Sequence, residues 1–336
     1  MESRKIQFTG KSSYIVSLPK DWVESQGIKK NDSVIIIPHR NGTLMLMPKA
    51  GKKRIETREI DVDIIEDNET LLFRILISAY INGYSNIILK SKKEISPMVR
   101  NCAIKFAQSA IGPEIIDEDD ATITIKDLLD PCEMPFDKTI KRMYSLTKAM
   151  HESAMSAIRN NDKETAKKTI EMDTDVDRLH WFVSRQFNIL LKNMEFSEKM
   201  GLTQNEGVYY FLISRLIERI ADHAVKIARV SLFVMDEGIS ADMAGMLSSQ
   251  SETALKIFGK SFDAWNRKDI NLANKNIDSI EKLISGCETI NKEILKKNHK
   301  SATYMSDIVE SIRRTGEYSA DMSEITINHH LVGNKI

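Results

Sequence analysis

The C-terminal half of this chain contains one helical pattern twice, and this repeat restricts the possible folds more than any other feature of the sequence. Apolar residues recur at helical spacing in six segments, which form two groups of three. The predicted helices cover residues 137–160, 163–194, 204–236, 243–267, 270–298 and 302–328. A shift of 107 residues superposes Asp162 on Asp269, and both acids are placed to cap the N terminus of a helix. The pattern therefore predicts two consecutive three-helix bundles, with repeats 137–236 and 243–328.

Two pairs of acidic residues stand four positions apart in the first repeat, Asp173 with Asp177 and Glu218 with Asp222. One turn of helix places such residues side by side, where like charges repel by about 0.2–0.5 kcal/mol unless a positive group offsets them. Arg215 can provide that charge locally, and so can a metal ion. Solvated acids on a polar helix face are the alternative interpretation.

The second repeat keeps only half of this pattern. A shift of 99 residues superposes the second acid pair on Glu317 and Asp321. The shift of 107, in contrast, places Ile280 and Ile284 opposite the acids of the first pair. We therefore expect one four-carboxylate site and, at most, a weaker second site at Glu317 and Asp321.

These segments resemble the PhoU family over roughly residues 136–330. Proteins of that family repeat a three-helix bundle and carry acidic pairs on two facing helices, which are associated with metal ions. The resemblance implies that one divalent or trivalent cation is held by Asp173, Asp177, Glu218 and Asp222. An all-oxygen ligand set without thiolates favours magnesium, manganese or iron, with zinc as a further candidate.

The histidines near these segments are not expected to act as ligands. His180 and His223 lie one turn or less from the acids and are interpreted as surface or capping residues. His329 and His330 are expected in a frayed tail. The carboxylate pairs lack the Glu-x-x-His spacing of di-iron oxidases, and the sequence shows no nucleophile with its base and no Gly-rich phosphate loop. An enzyme is therefore disfavoured.

Composition agrees with a soluble, helix-rich protein. Apolar residues make up 42% of the chain and aromatic residues 7%. No apolar run approaches about 18 residues, and the N terminus lacks the apolar core of a signal peptide, so we expect a cytoplasmic protein. The three cysteines are scattered without C-x-x-C spacing, which favours neither a disulfide framework nor a zinc–thiolate site.

The net charge is zero, but the charges are unevenly distributed. Residues 1–54 contain 11 Lys and Arg against 4 Asp and Glu, a balance of +7, and the remainder contains 37 against 44, a balance of −7. Clustered positive charge gains free energy on nucleic acid through counterion release. The basic head therefore suggests a polyanionic partner, with a merely solubilising surface as the alternative.

The first 50 residues have the pattern of a small β-rich domain. Four short strands are predicted, over residues 4–9, 14–18, 33–38 and 43–47. Gly10 separates the first two strands and the Asn41-Gly42 turn separates the last two. Pro19 opens a short helix between the two pairs, and Gly27 closes it.

That order of elements, with the string SYIVSLPKDWVESQGIKKNDSVII at residues 13–36, closely resembles the AbrB/MazE/SpoVT swapped-hairpin domain. In that family two chains exchange hairpins to build one small barrel. The resemblance implies a homodimer through this domain and contact with DNA. The implied DNA-binding residues are Arg4, Lys5, Lys11, Lys20 and Arg40. Other family members use the barrel mainly to dimerise or to hold a protein partner.

Residues 55–130 follow a β-α-β-α-β-β pattern, which predicts a small α+β module of the split βαβ type. Its acidic residues are interpreted as solvated turn charges, and its sequence shows no catalytic or ligand-binding motif. A spacer, a dimer contact and a ligand sensor all remain possible roles.

The chain is thus expected to be mainly α, with a swapped-hairpin domain at 1–50, an α+β module at 55–130 and a PhoU-like domain at 134–332. The first functional hypothesis is a dimeric, DNA-binding transcriptional regulator of phosphate uptake with a metal-binding helical domain; the family resemblance alone supplies the link to phosphate. The alternative is an adaptor that regulates a phosphate transporter ATPase or a sensor kinase by protein contact, with the barrel used only for dimerisation.

Overall fold

The computed structural model describes residues 2–10, 13–38, 42–48, 56–65, 68–296 and 302–333. The chain separates into two compact units, Met1–Ile55 and Glu56–Ile336. Lys11 and Arg40, two of the predicted DNA-binding residues, lie outside the described residues. The predicted boundaries of three domains stay a prediction.

The first unit consists of two hairpins and one short helix. Its elements are β1 (Gln7–Thr9), β2 (Ser13–Ile15), α1 (Lys20–Ser25), β3 (Val34–Pro38) and β4 (Leu44–Pro48). β1 pairs antiparallel with β2, and β3 pairs antiparallel with β4. Gly27 follows α1 with a φ of +65°, a backbone conformation that glycine adopts without strain. The order of elements predicted from the sequence is confirmed.

The described part of this unit contains no buried residue. Phe8 and Tyr14 pack edge to face with ring centroids 5.2 Å apart, yet both are more than half exposed. Ile6, Ile36 and Leu44 are exposed as well. Within a single chain, the described residues of this unit therefore do not form a hydrophobic core.

The second unit begins with a four-stranded sheet and two helices. These elements are β5 (Thr57–Asp61), α2 (Glu69–Ile81), β6 (Asn86–Lys90), α3 (Pro97–Ser109), β7 (Pro113–Glu118) and β8 (Thr122–Asp127). The strand order is β5-β6-β8-β7, with β5 parallel to β6 and the other pairs antiparallel. The predicted sequence of elements is confirmed, but the split βαβ topology is wrong, because β5 and β6 pair directly with Thr57 opposite Asn86. Alternation along a strand predicts its existence and carries no information about its neighbours.

Nine helices occupy the rest of the described second unit. They are α4 (Phe136–Asn160), α5 (Lys163–Glu171), α6 (Asp173–Lys192), α7 (Met194–Met200), α8 (Gln204–Glu237), α9 (Ala241–Arg267), α10 (Ile270–Ile277), α11 (Ile280–Lys296) and α12 (Ala302–Gly333). The predicted helices 163–194 and 270–298 are each broken, at Met172 and at Asp278 and Ser279. The 107-residue shift brings the two breaks together, so the repeat extends to this detail. Asp162 and Asp269 cap α5 and α10 as predicted.

The long helices α8 and α12 pack against each other at the centre of the helical region. α8 also contacts α4 and α6, while α12 contacts α9, α10 and α11. The α+β module joins this region through α6, because Phe182 of α6 is buried among Leu72, Leu76 and Phe106 of the module. Among the described helices, none is sufficiently long and apolar to cross a lipid bilayer.

Candidate metal centre

Helices α6 and α8 pack side by side and carry the four predicted acids on their first and middle turns, respectively. Asp173 is the first residue of α6, and Asp177 follows one turn later. Glu218 and Asp222 lie one turn apart in α8. Asp173, Asp177 and Glu218 are half-buried, whereas Asp222 is exposed.

The charges of neighbouring carboxylates help to raise the pKa of Asp173, Asp177 and Glu218. Burial raises the pKa of Asp177 to about 7, and the charges of Asp173, Glu218 and Asp222 add to this effect. Burial also raises the pKa of Glu218 to about 7, with a further increase from Asp222. The pKa of Asp173 is raised by burial and then by Asp222 on the other helix. The structure thus brings both pairs into one cluster of negative charge.

Positive side chains offset only part of this charge. Arg215 Nη1 lies 3.2 Å from Glu218 Oε1, and the arginine is about half exposed. Partial desolvation by the surrounding protein raises the pKa of Asp222, although its side chain reaches the surface, and Arg215, Arg219 and Arg229 lower this pKa in part. Among the described residues, Asp173 Oδ1 and Glu218 Oε2 are buried without a hydrogen-bond donor. A buried acceptor without a partner costs about 1–3 kcal/mol, so these oxygens favour binding of a cation.

The donor set fits a hard cation, because all four groups are carboxylates. In the described ranges, however, no three His, Cys, Asp or Glu side chains already stand as a ligand group. Side-chain rotation would therefore accompany binding, and the metal ligands stay a prediction.

The histidines next to the cluster differ from their predicted environment. His180 is buried, and its Nδ1 lies 3.0 Å from Ser214 Oγ, so its placement on the surface was wrong. His223 is half-buried and packs against Tyr318 with ring centroids 5.8 Å apart. Burial lowers the pKa of both histidines to about 4, so both are neutral at pH 7. His180 lies four residues after Val176 and three before Val183, both of which are buried, so its place on the apolar stripe of α6 was a signal of its burial.

The C-terminal end of α12 is packed rather than frayed. His329 stacks on Trp265 with ring centroids 4.9 Å apart and lies 5.0 Å from Tyr209. α12 continues to Gly333, beyond the predicted end at residue 328. The expectation of a frayed tail at His329 was therefore wrong.

At the predicted second, weaker site, Glu317 forms ion pairs with two arginines. Arg313 Nη1 lies 2.5 Å from Glu317 Oε1, and Arg314 Nη1 lies 3.1 Å from Glu317 Oε2. Asp321 lies at the surface, where partial desolvation by the surrounding protein, followed by the charges of Glu324 and Glu317, raises its pKa. These arginines supply the positive charge that a cation supplies in the predicted first site.

The described basic residues of the first unit differ in their contacts. Arg4 donates from Nη1 to Ser17 Oγ at 3.1 Å and forms an ion pair with Glu2. Lys20 Nζ lies 3.6 Å from Glu24 Oε1. Lys5 is exposed. Their role in binding DNA stays a prediction.

Models of two protein families match parts of this chain. A model of the PhoU domain matches residues 140–231, a range that contains all four acids of the cluster. A model described as antidote-toxin recognition MazE, bacterial antitoxin, matches residues 7–54.

Two relatives match the chain over about half of its length. The phosphate-specific transport system accessory protein PhoU homolog of Borreliella burgdorferi is 26% identical over 187 residues, which cover 52% of this chain and 82% of the relative. Homolog 1 of the same protein in Thermotoga maritima is 23% identical over 205 residues, which cover 56% of this chain and 82% of the relative.

The crystal structure of PhoU from Pseudomonas aeruginosa has a TM-score of 0.52 to this chain at 18% identity, covering 59% of this chain and 96% of that chain. At this identity the likeness shows the fold alone. The two family resemblances and the mainly helical fold class predicted from the sequence are confirmed.

Proposed function

We propose that this chain, which has a MazE-type region followed by a PhoU-type region, is a dimeric, DNA-binding regulator of phosphate uptake in the cytoplasm. Its helical region would bind a divalent or trivalent cation, iron, manganese, magnesium or zinc. The observation that carries the proposal is the carboxylate cluster on α6 and α8, which lies inside the segment matched to the PhoU domain. The link to phosphate comes from the names of the relatives, which describe accessory proteins of phosphate-specific transport.

The bound cation would be held by Asp173, Asp177, Glu218 and Asp222, and its positive charge would neutralise the cluster. Neutralisation favours close packing of α6 against α8, because it removes repulsion between half-buried carboxylates. The chain's own contribution is to hold both acid pairs on one face of two packed helices. A regulatory rather than enzymatic role agrees with the relatives' description as accessory proteins.

Cation binding is tested by comparing Mn²⁺ affinity in wild type and the double variant Asp177→Asn, Asp222→Asn. We expect the variant to lose most Mn²⁺ binding in titration calorimetry, because it removes one carboxylate from each pair. The matched control is Glu317→Gln, Asp321→Asn, which removes the equivalent acids of the second repeat. Equal affinity in wild type and the first variant would contradict the proposed site.

DNA binding is tested with labelled duplex DNA at increasing salt concentration. Charge reversal at the exposed Lys5, Lys5→Glu, should weaken binding and flatten the dependence of affinity on salt, because each phosphate contact contributes about 0.9 to the logarithmic slope. Lys138→Glu on α4 changes the charge equally outside the first unit and serves as the control. No binding by wild type at low salt would overturn the DNA-binding half of the proposal.

The second candidate function is an adaptor that binds a phosphate transporter ATPase or a sensor kinase, with the first unit acting only in dimerisation. The side-chain contacts of Arg4 and Lys20 favour it, because part of the local basic charge is already offset by Glu2 and Glu24. Dimerisation without any affinity for duplex DNA would support this candidate over the first.

A further inference from the structure

One buried side-chain hydrogen bond joins the two helices that carry the acid pairs. His180 Nδ1 on α6 lies 3.0 Å from Ser214 Oγ on α8. His180 follows Asp177 by one turn of α6, and Ser214 precedes Glu218 by one turn of α8. The bond therefore lies about one helical turn from Asp177 on α6 and one turn from Glu218 on α8.

The other contact of Ser214 determines the direction of this bond. A serine hydroxyl has a single proton, and Ser214 Oγ donates it to the backbone carbonyl of Phe211 at 2.7 Å. Ser214 Oγ therefore accepts a hydrogen bond from His180, which places the ring proton on Nδ1. The hydrogen bond therefore runs from the ring N–H of His180 to the hydroxyl oxygen of Ser214. Another side chain at position 180 can keep this bond only if it places a donor where Nδ1 lies.

Neighbouring contacts hold the histidine ring in one orientation. The ring stacks on Phe211 at 6.0 Å, and Phe211 stacks on Phe187 at 5.2 Å. With the ring fixed in this way, sliding of α6 along α8 would break the bond to Ser214.

We propose that His180 and Ser214 are positioning residues for the carboxylate cluster, because their hydrogen bond fixes the register of α6 against α8 and so holds Asp177 beside Glu218. This inference rests on the proposed cation site. It adds a residue pair that contacts no cation but sets the affinity for one. Residues that orient metal ligands in this way typically change metal affinity by about 10–100-fold when they are replaced.

The chain contains a matched pair that joins two other helices. His151 Nε2 on α4 lies 2.9 Å from Ser251 Oγ on α9, and both side chains are buried. Neither helix carries an acid of the cluster. Loss of this second bond removes a buried histidine–serine hydrogen bond from the helical region without changing the register of α6 against α8.

The test measures Mn²⁺ affinity of the full-length chain by titration calorimetry. We expect His180→Leu and Ser214→Ala to weaken Mn²⁺ binding by about 10–100-fold. His180→Asn, whose side-chain amide can donate from the position of Nδ1, should retain affinity near that of wild type. The double variant should bind no more weakly than His180→Leu alone, because both changes remove the same bond. His151→Leu and Ser251→Ala should lower the urea midpoint and leave the affinity unchanged.

The outcomes distinguish a failure of this inference from a failure of the proposed cation site. Normal affinity in His180→Leu and Ser214→Ala, while wild type binds Mn²⁺, would overturn the positioning role and leave the cation site in place. An equal loss in His151→Leu would attribute the effect to general packing and overturn the positioning role as well. Failure of wild type to bind Mn²⁺ would overturn the cation site together with this inference. If His180→Leu does not fold, Ser214→Ala decides the question, because it removes only one hydroxyl.

Discussion

Individual residues of the carboxylate cluster link the stability of the metal-free protein to pH. The pKa of Asp177 is raised to about 7 in the folded chain from an ordinary value near 3.8. The folded state therefore binds this proton more tightly than the unfolded state, and the resulting stability is lost as pH rises through about 7. Burial lowers the pKa of His151 and His180 to about 4. These histidines therefore make the stability of the folded state increase as pH rises above about 4.

The variant Asp177→Asn isolates the contribution of the acid. At pH 8 we expect it to raise the melting temperature of chelator-treated protein by about 2–4 °C, the shift that about 1 kcal/mol produces in a domain of 150–250 residues. The difference from wild type should shrink as pH falls towards 5, because Asp177 becomes neutral in the folded wild type. Glu317→Gln should instead destabilise, since Glu317 is paired with two arginines. A destabilising Asp177→Asn at pH 8 would contradict the assigned electrostatics.

Helix α6 is the element that joins the carboxylate cluster to the α+β module. Arg185 of α6 is buried, and its Nη2 lies 2.7 Å from Asp127 Oδ2 at the end of β8. Its Nη1 also donates to the carbonyls of Tyr80 and Tyr84 at 2.6 and 3.0 Å. One helix thus carries two acids of the cluster at its start and the anchor to the sheet about two turns before its end.

Replacement of this anchor should loosen the module from the bundle. We expect Arg185→Met to lower the free energy of unfolding by about 3–5 kcal/mol, because it leaves Asp127 buried without its partner. Lys105→Met is the control, since Lys105 and Glu69 are both more than half exposed and their ion pair contributes about 0–1 kcal/mol. Urea denaturation measures both changes. An equal effect of the two substitutions would contradict the assigned role of Arg185.

The sequence predicts helices and acid pairs well because both have a period. It does not predict which distant elements pack on a helix, because these elements lie outside the local sequence pattern. Ser184, Arg185 and Gln186 are polar residues, yet all three are buried. Arg185 contacts Asp127 of the α+β module, and Gln186 Nε2 donates to the backbone carbonyls of Pro131 and Met134. The break at Met172 was missed for a related reason, since the apolar period continues across it. The acid pairs were therefore identified from spacing, and their role as metal ligands stays a prediction. The burial of Arg185, in contrast, could be located only from the packed structure.

At the scale of the whole molecule, the proposed homodimer accounts for the exposed apolar residues of the first unit. Its strands form two separate two-stranded sheets, and its described apolar residues are not buried. A sheet of two strands is at best marginally stable in water. Association of two such units is the simplest way for their apolar side chains to leave the solvent.

We expect sedimentation equilibrium to give a mass of twice the 38.3 kDa of one chain. Phe8→Glu should shift the equilibrium towards single chains, because it places a charge among the apolar residues of β1 and β2. Leu295→Asp on α11 is a matched control, as Leu295 is 78% exposed but lies in the second unit. A purely monomeric wild type would contradict the proposed assembly.

Because the described residues of the first unit bury no core within one chain, the proposed control through a dimer would depend on the concentration of the chain. While most copies are single, mass action makes the number of assembled pairs rise with the square of the chain concentration, so doubling the supply yields about four times as many pairs. A response that depends on the paired form would then be steeper than the change in protein abundance that produces it.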